Sequence, residues 1–371
     1  MKILFLAPLP PPINGQTLAS KVLLDELATY HDVELVDSQK DSFSEGVDSF
    51  KRIFQIVRNL MSIWRKKKNV NAIYLTISES FAGNIKDLVI YLLCFKYISG
   101  MYIHLHGGSI KKLLWDRHRI LFSINKILIK RFAGVIVTGQ SHLSIFDGMI
   151  HSKKLHVVQN FAQDYLFLTD ENIRDKFSIT KPLNIIFISN FMKKKGYNEL
   201  VDAYLGLNNA MKKMVSIEFA GRFDSESQKE AFLEKIDGIG QIRYHGVVDG
   251  VQKRTLFSRA HIFCLPTSYF EGQPISILEA YASGCVVLTT GQDGILDIFK
   301  DTVNGFLIRD SSARSIRLAI ENIFRNEKKL LKIAIFNRKI AGKYYKESIY
   351  NSTIRNIIES QFQDTCEGKI S

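Results

Sequence analysis

Short apolar runs alternate with longer amphipathic stretches along most of the chain, and this alternation predicts a repeated strand–helix order. The predicted strands of the first half are residues 3–7, 33–36, 72–77, 102–106, 134–138 and 155–158. Those of the second half are residues 184–189, 215–220, 241–245, 262–265, 286–288 and 305–308. Runs this short and apolar are typical of parallel strands buried on both faces. The pattern therefore predicts an α/β protein.

The predicted helices between these strands include residues 17–29, 197–210, 225–236, 250–259 and 295–299, and two more, near 311–326 and 327–362, close the chain. Residues 163–182 are polar and end at Lys181-Pro182, which predicts a domain boundary. A chain of 371 residues also exceeds what one hydrophobic core normally holds. We therefore predict two Rossmann-like domains with a cleft between them, at residues 1–165 and 182–342, and a C-terminal helix and tail at 343–371.

The most informative stretch is residues 261–290, whose pattern predicts a strand, a loop, a helix and a second strand. The helix is predicted to begin near Pro274 and to end at Gly284. Glu271 precedes it and Glu279 lies on its polar stripe. A helix N-terminus after a parallel strand favours anions, and a nearby carboxylate can bind the hydroxyl groups of an attached polyol. The stretch predicts a sugar-phosphate site, the alternative being an ordinary βαβ unit with two surface glutamates.

Two positions in the first half are further candidates for a ligand site. The strand at 102–106 ends at His106-Gly107-Gly108, which places His106 where α/β sheets hold their ligands. Gly15 follows the first strand, where it either brings backbone close to a phosphate or turns the chain. A single glycine there is not a dinucleotide-binding fingerprint, which requires three.

The net charge of +13 favours an anionic partner, such as nucleic acid, an acidic membrane surface or a phosphorylated substrate. Much of the charge lies in two basic amphipathic stretches, within residues 49–78 and 111–132. Each is predicted to be either a solvated helix face or a surface for anionic lipid head groups. Because no helix-turn-helix, zinc or RNA-binding motif accompanies the charge, nucleic acid is not the predicted partner.

The remaining composition bears on location. The four cysteines show no paired spacing, which indicates neither a disulfide framework nor a zinc site. The longest apolar run, Leu88–Phe95, is far shorter than the ~18 residues that span a bilayer. The N-terminus predicts a strand and a loop rather than a signal peptide. We expect a cytoplasmic protein that is peripheral on the inner face of the membrane.

Glu271-Gly272-Gln273-Pro274, followed by Leu278-Glu279-Ala280 and Gly284, resembles the E-x7-E signature of the family 4 glycosyltransferases. Weaker matches span nearly the whole chain in the family's order: Asn14-Gly15, His106-Gly107, Asn160, Lys195-Gly196, Gly221, Gly246 and Asn304-Gly305-Phe306-Leu307. The resemblance implies the GT-B fold, in which two Rossmann-like domains face a central cleft and a C-terminal helix crosses back to the N-terminal domain. It also implies retaining transfer of a sugar from a UDP- or GDP-linked donor, without a bound metal or other cofactor.

The resemblance implies a catalytic set of Glu271, His106 and Lys195. Glu271 would bind hydroxyl groups of the donor sugar, and His106 would lie beside that sugar at the reacting face. Lys195 would pair with the diphosphate. Because a preorganised cation and a helix N-terminus stabilise the charge on the leaving diphosphate, they would replace a metal. Glu271 is not assigned as a nucleophile, since a retaining hydrolase needs two carboxyl groups at one bond.

The resemblance also implies a donor-binding set: Gly15, Asn190, Lys195, Arg222, Val247, Glu271, Gly272, Gln273 and Glu279. Glu279 would bind the ribose, Arg222 and Val247 would border the base, and Gly15 and backbone N–H groups from Gln273 onward would approach phosphate or sugar. The sequence departs from the family at Asn190, where an arginine is usual, and at Asn14, which replaces a glycine. The first departure implies either weaker diphosphate binding or compensation by Lys193 or Lys194.

These observations lead to one main hypothesis and two alternatives. The main hypothesis is a retaining glycosyltransferase that acts on a lipid-linked saccharide acceptor at an anionic membrane surface, in the biosynthesis of a surface polysaccharide such as an O-antigen or capsule. The first alternative is a nucleotide-sugar epimerase or sugar phosphorylase on the same fold. The second is a nonenzymatic protein that binds nucleic acid or a membrane, for which charge is the only support.

Overall fold

The computed structural model describes residues 1–39, 50–178 and 182–367, and for residues 50–52 and 361–367 it describes the backbone only. Lys181, at the predicted domain boundary, and the last four residues of the predicted tail lie outside the described residues. The chain divides into two compact units. Unit 1 contains the described parts of Met1–Asn160, the short segment Phe270–Gln273 and the described residues from Ser348 onward. Unit 2 contains the described parts of Phe161–Tyr269 and Pro274–Glu347.

Unit 1 is built on a six-stranded parallel sheet with strand order β2-β1-β3-β4-β5-β6. Its strands are β1 Lys2–Ala7, β2 Asp32–Asp37, β3 Ala72–Thr76, β4 Met101–Leu105, β5 Gly134–Val137 and β6 Leu155–Val157. The connecting helices are α1 Gly15–Tyr30, α2 Phe50–Lys66, α3 Phe81–Leu93 and α4 Arg119–Ile129. Parallel crossovers are right-handed, so α1 lies on one face of the sheet and α2, α3 and α4 lie on the other.

Unit 2 is built on a second six-stranded parallel sheet, with strand order β12-β11-β10-β7-β8-β9. Its strands are β7 Leu183–Ile188, β8 Val215–Ala220, β9 Ile242–Tyr244, β10 Ile262–Leu265, β11 Val286–Thr290 and β12 Gly305–Ile308. Its helices are α5 Asp170–Ser178, α6 Tyr197–Leu205, α7 Asn209–Lys212, α8 Glu226–Ile236, α9 Gly250–Arg259, α10 Ile275–Ala282, α11 Asp293–Leu296, α12 Ala313–Arg325 and α13 Glu327–Tyr344. The prediction of two Rossmann-like folds is confirmed.

The prediction of one helix over residues 327–362 is wrong, because α13 ends at Tyr344 and a separate helix, α14, spans Glu347–Glu367. At the break, the Tyr345 carbonyl accepts a hydrogen bond from the Ala162 N–H at 2.8 Å. From Ser348 onward the chain belongs to unit 1, where the Tyr102 hydroxyl donates to the Ile357 carbonyl at 3.2 Å. The expected return of the C-terminal helix to the first unit is therefore confirmed.

The second basic stretch, 111–132, is not one helix. Lys111–Trp115 forms a single π-helical turn, and α4 begins only at Arg119 because His118 has a non-helical backbone (φ −131°, ψ 77°). The predicted helix 197–210 also ends early, at Leu205. Within the described residues, no helix combines the length and apolar character needed to cross a bilayer.

The stretch 261–290 folds as predicted. Pro274 is the N-cap of α10, and the helix ends with Gly284 in the left-handed conformation at φ +59°. A side chain at position 284 would also clash with Ile173, since its Cβ would stand 2.5 Å from the Ile173 Cδ1. Cys264 and Cys285 are free and buried, as is Cys94 in unit 1, so they act as small apolar residues. The side chain of Cys366 lies outside the described residues.

Candidate active site

The loop that carries Lys195 follows β7 and is locked against the loop that follows β10, its neighbour in the sheet of unit 2. Gly196 adopts the left-handed conformation (φ +81°), and a Cβ there would stand 2.2 Å from the Pro266 carbonyl oxygen. The Lys194 carbonyl accepts a hydrogen bond from the Ser268 N–H at 2.7 Å. Lys195 Nζ lies 5.2 Å from the centre of the Tyr269 ring. The half-buried ammonium of Lys195 is thereby fixed at the carboxyl edge of the sheet.

The remaining predicted base and diphosphate residues follow β7, β8 and β9 at the same edge. Asn190 is half-buried. The N–H of Phe191, which follows Asn190 in the chain, donates a hydrogen bond to the Arg222 carbonyl at 2.8 Å. Gly221 allows this approach, since a Cβ there would stand 1.8 Å from the Ser189 carbonyl oxygen. Val247, at 55% exposure, follows the carbonyl of Gly246, which accepts from the Gly221 N–H at 2.8 Å. The structure thus brings Asn190, Lys195, Arg222 and Val247 to one edge of unit 2.

Glu279 is buried inside unit 2 rather than exposed on a polar stripe, because α10 is covered on almost all sides. The Lys253 ammonium, on α9, lies 2.5 Å from Glu279 Oε1. Burial raises the pKa of Glu279, and the charge of Lys253 opposes that shift. Glu271 is also buried, at 9% exposure, so the interpretation of these two residues as surface glutamates is wrong.

Residues Phe270–Gln273 belong to unit 1, where they pack on the end of β4. A Cβ on Gly272 would stand 1.9 Å from the His106 carbonyl oxygen, so only glycine permits this approach. Asn160 binds Gln273, the residue after Gly272, through two hydrogen bonds. The Asn160 N–H donates to Gln273 Oε1, and Asn160 Nδ2 donates to the Gln273 carbonyl at 2.8 Å. The structure therefore brings Glu271, Gly272 and Gln273 together with His106.

His106 directly follows Leu105, the last residue of β4, and its ring stacks on that of His104 with the centroids 4.0 Å apart. Burial lowers the pKa of His106 to about 4, so its imidazole is neutral at physiological pH. Its Nε2 atom is buried and makes no hydrogen bond within the part of the chain that the structure describes. A buried polar atom normally has a partner, so Nε2 is a candidate contact for a ligand.

Glu79, which the sequence analysis did not identify, supports the loop after His106. One carboxylate oxygen accepts hydrogen bonds from the N–H groups of Ser109 at 2.6 Å and Ile110 at 2.9 Å. Burial raises the pKa of Glu79, and these hydrogen bonds oppose the shift. The available sequence signal was an acidic residue just after a strand of the same sheet.

Gly15 is the first residue of α1, at the carboxyl end of β1. The preceding Asn14 caps the helix: its side chain accepts from the Thr17 N–H at 2.9 Å, and the Thr17 hydroxyl accepts from the Asn14 N–H at 3.0 Å. Asn14, which replaces the glycine that is usual in the family, thus caps the helix. The approach of Gly15 to a phosphate stays a prediction.

Two Rossmann-like units, each built on a six-stranded parallel sheet, are the architecture of the GT-B fold. The fold is shared with Anabaena HepE, whose crystal structure in complex with UDP and glucose matches 97% of this chain and 100% of HepE at 16% identity and a TM-score of 0.73. Residues 169–340 match the sequence model of the family described as glycosyl transferases group 1, and this match together with the shared fold identifies a glycosyltransferase of the GT-B type.

Two curated relatives support this assignment. An uncharacterized glycosyltransferase of Methanocaldococcus jannaschii is 21% identical over 73% of this chain and 72% of its own length. The N,N'-diacetylbacillosaminyl-diphospho-undecaprenol alpha-1,3-N-acetylgalactosaminyltransferase of Campylobacter jejuni is 26% identical over 48% of this chain and 46% of its own length. Both are named as enzymes that transfer sugars.

Proposed function

We propose that this glycosyltransferase moves a sugar, with retention of configuration and without a metal, from a UDP- or GDP-linked donor to a lipid-linked saccharide. The observation that supports it most is the packing of the Glu271 segment on the backbone of His106: a Cβ on Gly272 would stand 1.9 Å from the His106 carbonyl oxygen, Glu271 is buried, and the His106 imidazole is neutral. Both groups can exchange hydrogen bonds with the hydroxyl groups of a sugar. We assign Glu271 and His106 to the donor sugar.

The leaving group of such a transfer is a nucleoside diphosphate, which gains negative charge as the glycosidic bond breaks. Lys195 supplies a fixed cation, and α10 begins at Ile275, after its N-cap Pro274, without a side-chain hydrogen bond that caps its N–H groups. Those N–H groups and the helix dipole favour an anion. Preorganised donors of this kind contribute about 3–4 kcal/mol each to transition-state stabilisation. We assign the diphosphate to Lys195 and the start of α10.

A lipid-linked acceptor requires contact with a membrane, and unit 1 carries a suitable surface. The outward faces of α2, α3 and α4 expose large apolar side chains at helical spacing: Phe54, Val57, Met61 and Trp64, then Phe81, Ile85, Val89 and Leu92, then Ile120, Ile124 and Ile127. We call this surface the three-helix face. Exposed cations flank it, including Arg58, Arg65, Lys96, Arg119 and Lys130.

The helices of the three-helix face are neighbours. Asn84 of α3 and Asn125 of α4 exchange side-chain hydrogen bonds at 2.8 and 3.3 Å, and Lys67 Nζ, just after α2, donates to the Leu93 carbonyl. An exposed apolar surface of this extent, rimmed by cations, is typical of an interface with anionic lipids. The name of the Campylobacter jejuni relative, which contains an undecaprenol diphosphate, supports the same class of acceptor. We therefore place the protein on the inner face of a membrane, in the biosynthesis of a surface polysaccharide such as an O-antigen or capsule.

The test begins with a thermal-shift screen of UDP- and GDP-sugars. A ligand at 100 times its dissociation constant stabilises the folded state by about 2.7 kcal/mol. The stabilising donor is then incubated with polyprenyl-diphosphate-linked saccharides, and the product linkage is assigned by NMR. Transfer with the α-configuration of an α-linked donor preserved supports the proposal, and inversion contradicts it. Conversion of the donor to an isomer without an acceptor would instead identify an epimerase, and release of the sugar onto phosphate a phosphorylase.

A further inference from the structure

We propose that Lys253 is a positioning residue for donor binding: its ammonium holds one oxygen of Glu279 and presents the other to the ribose hydroxyl groups of the nucleotide. This inference rests on the proposed function and on the role that the family resemblance implies for Glu279, which is contact with the ribose of the nucleotide. It concerns a residue that lies outside the E-x7-E stretch and that no sequence motif identifies.

The geometry fixes Lys253 from two sides. Lys253 Nζ lies 2.5 Å from Glu279 Oε1 and donates a second hydrogen bond to Gln163 Oε1 at 3.3 Å. Gln163 Oε1 is held in turn by the Tyr165 hydroxyl at 3.0 Å, and that hydroxyl also lies 3.2 Å from Asp249 Oδ1. The ammonium is therefore part of a network that spans three segments of unit 2.

The two oxygens of Glu279 have different surroundings. Oε1 carries the contact with Lys253, whereas no hydrogen bond to Oε2 is found among the described residues. An ionised carboxylate oxygen with spare lone pairs can accept a hydrogen bond from a hydroxyl group. A vicinal diol such as a ribose can supply two such donors.

Stability alone does not account for this pair. Lys253 and Glu279 are 7% and 2% exposed, and burying both charges costs desolvation energy that their attraction only roughly repays. Two apolar side chains would serve the core between α9 and α10 as well or better. The pair is therefore better explained by a carboxylate that must remain ionised in a buried site.

The charges around Glu279 show what Lys253 contributes. Burial, and to a smaller extent Asp249, raises the pKa of Glu279, and Lys253 is the group that lowers it. Glu279 in turn raises the pKa values of Tyr165 and Glu347, although burial is the largest cause for each. Without Lys253 the neighbourhood is acidic and buried, so we expect removal of Lys253 to favour the protonated form of Glu279.

The test compares Lys253→Met with the wild type and with Arg254→Met, which removes an exposed cation from the next position of α9. Calorimetry would measure the affinities for UDP and for 2′,3′-dideoxy-UDP, or for the guanine pair if GDP gives the larger thermal shift. We expect the wild type and Arg254→Met to prefer the ribonucleotide by about tenfold, as a hydrogen bond to a charged group warrants. Lys253→Met should reduce the preference to less than threefold at pH 7, and raising the pH should partly restore it because a higher pH favours the ionised form of Glu279.

Two further variants keep the test decisive. If Lys253→Met does not fold, Lys253→Gln retains a hydrogen-bond donor without the charge and should also lose the preference at pH 7, whereas Lys253→Arg should keep it. A folded Lys253→Met or Lys253→Gln protein with the full preference overturns the role of Lys253. Glu279→Gln separates the two proposals: if that variant also keeps the full preference, the contact of Glu279 with the ribose is wrong.

Discussion

The carboxylate of Glu79 occupies the space that a side chain at position 107 would need: a Cβ on Gly107 would stand 1.8 Å from Glu79 Oε2. The same carboxylate holds the N–H groups of Ser109 and Ile110. An acid from the end of β3 thus sets the path of the loop that follows β4, and with it the place of His106. The position of His106 depends on a residue that lies far from it in the sequence.

We therefore expect Glu79→Ala to impair catalysis as well as stability. It leaves two buried N–H groups without their acceptor, which costs about 1–3 kcal/mol each. Glu79→Gln keeps a carbonyl oxygen and should retain most of both properties. Transfer kinetics and chemical denaturation of the two variants would check this. Equal kcat values for Glu79→Ala and the wild type would contradict the assigned role.

The close approach of Gly272 to His106 gives a second prediction. Gly272→Ala forces a methyl group toward the His106 carbonyl oxygen, so the segment that carries Glu271 must move. We expect kcat/KM to fall at least tenfold, since misplacement by about 1 Å can cost 100-fold. Gly240→Ala is the matched control, because a Cβ there meets nothing within 4 Å. A Gly272→Ala enzyme with wild-type kinetics would show that the packing is not needed.

Much of the fold could be predicted from the sequence, because buried parallel strands are short apolar runs that end at turn residues. The roles of Glu79 and Lys253 could not be predicted, since each role depends on a contact with a partner about 30 positions away in the sequence. The sequence contains one weak indication of the role of Lys253, because this lysine lies on the buried face of α9 together with Phe257. The break between α13 and α14 was missed for the same reason: the backbone of Ala162 stabilises it, and no proline or glycine marks it.

The buried imidazole of His106 predicts a pH dependence of stability. Its pKa is lowered from 6.5 to about 4 by burial, so between these values the unfolded chain binds a proton that the folded chain does not. The free energy of unfolding must therefore rise with pH across this window and fall on acidification, by on the order of 3 kcal/mol in total. His106→Gln should flatten the dependence, although His104, whose pKa burial also lowers, retains its part. Urea titrations from pH 4.5 to 7 would measure it, and the exposed His118→Gln is the control.

Lys195 should dominate the binding of the diphosphate. Lys195→Met removes the cation that the loop after β7 fixes, and we expect kcat to fall by about 100-fold or more. Lys193→Met removes an exposed charge from the same turn and tests whether that lysine compensates for Asn190. Inhibition constants for UDP and for uridine would separate the effects, because only UDP carries the diphosphate. An equal loss of affinity for both ligands would place Lys195 elsewhere.

The three-helix face gives the last prediction, which concerns the membrane and not the reaction. Ile120 is 81% exposed and Ile127 60% exposed, and they lie two turns apart on α4. Ile120→Glu combined with Ile127→Glu places two anions where acyl chains and anionic head groups would lie, at a cost that grows with depth. We expect co-sedimentation with phosphatidylglycerol vesicles to fall at least tenfold, while transfer to a water-soluble acceptor stays unchanged.

Val251→Glu combined with Leu318→Glu is the matched control for the three-helix face, since both side chains are exposed and apolar but belong to unit 2. This pair should leave vesicle binding intact. The wild-type interaction should also weaken between 50 and 500 mM salt, because the exposed cations contribute about 1 kcal/mol each near an anionic surface. Binding that is insensitive to salt and to the α4 substitutions would remove the membrane from the proposed function. That result would not contradict the proposed transfer reaction, because the residues assigned to the reaction lie outside the three-helix face.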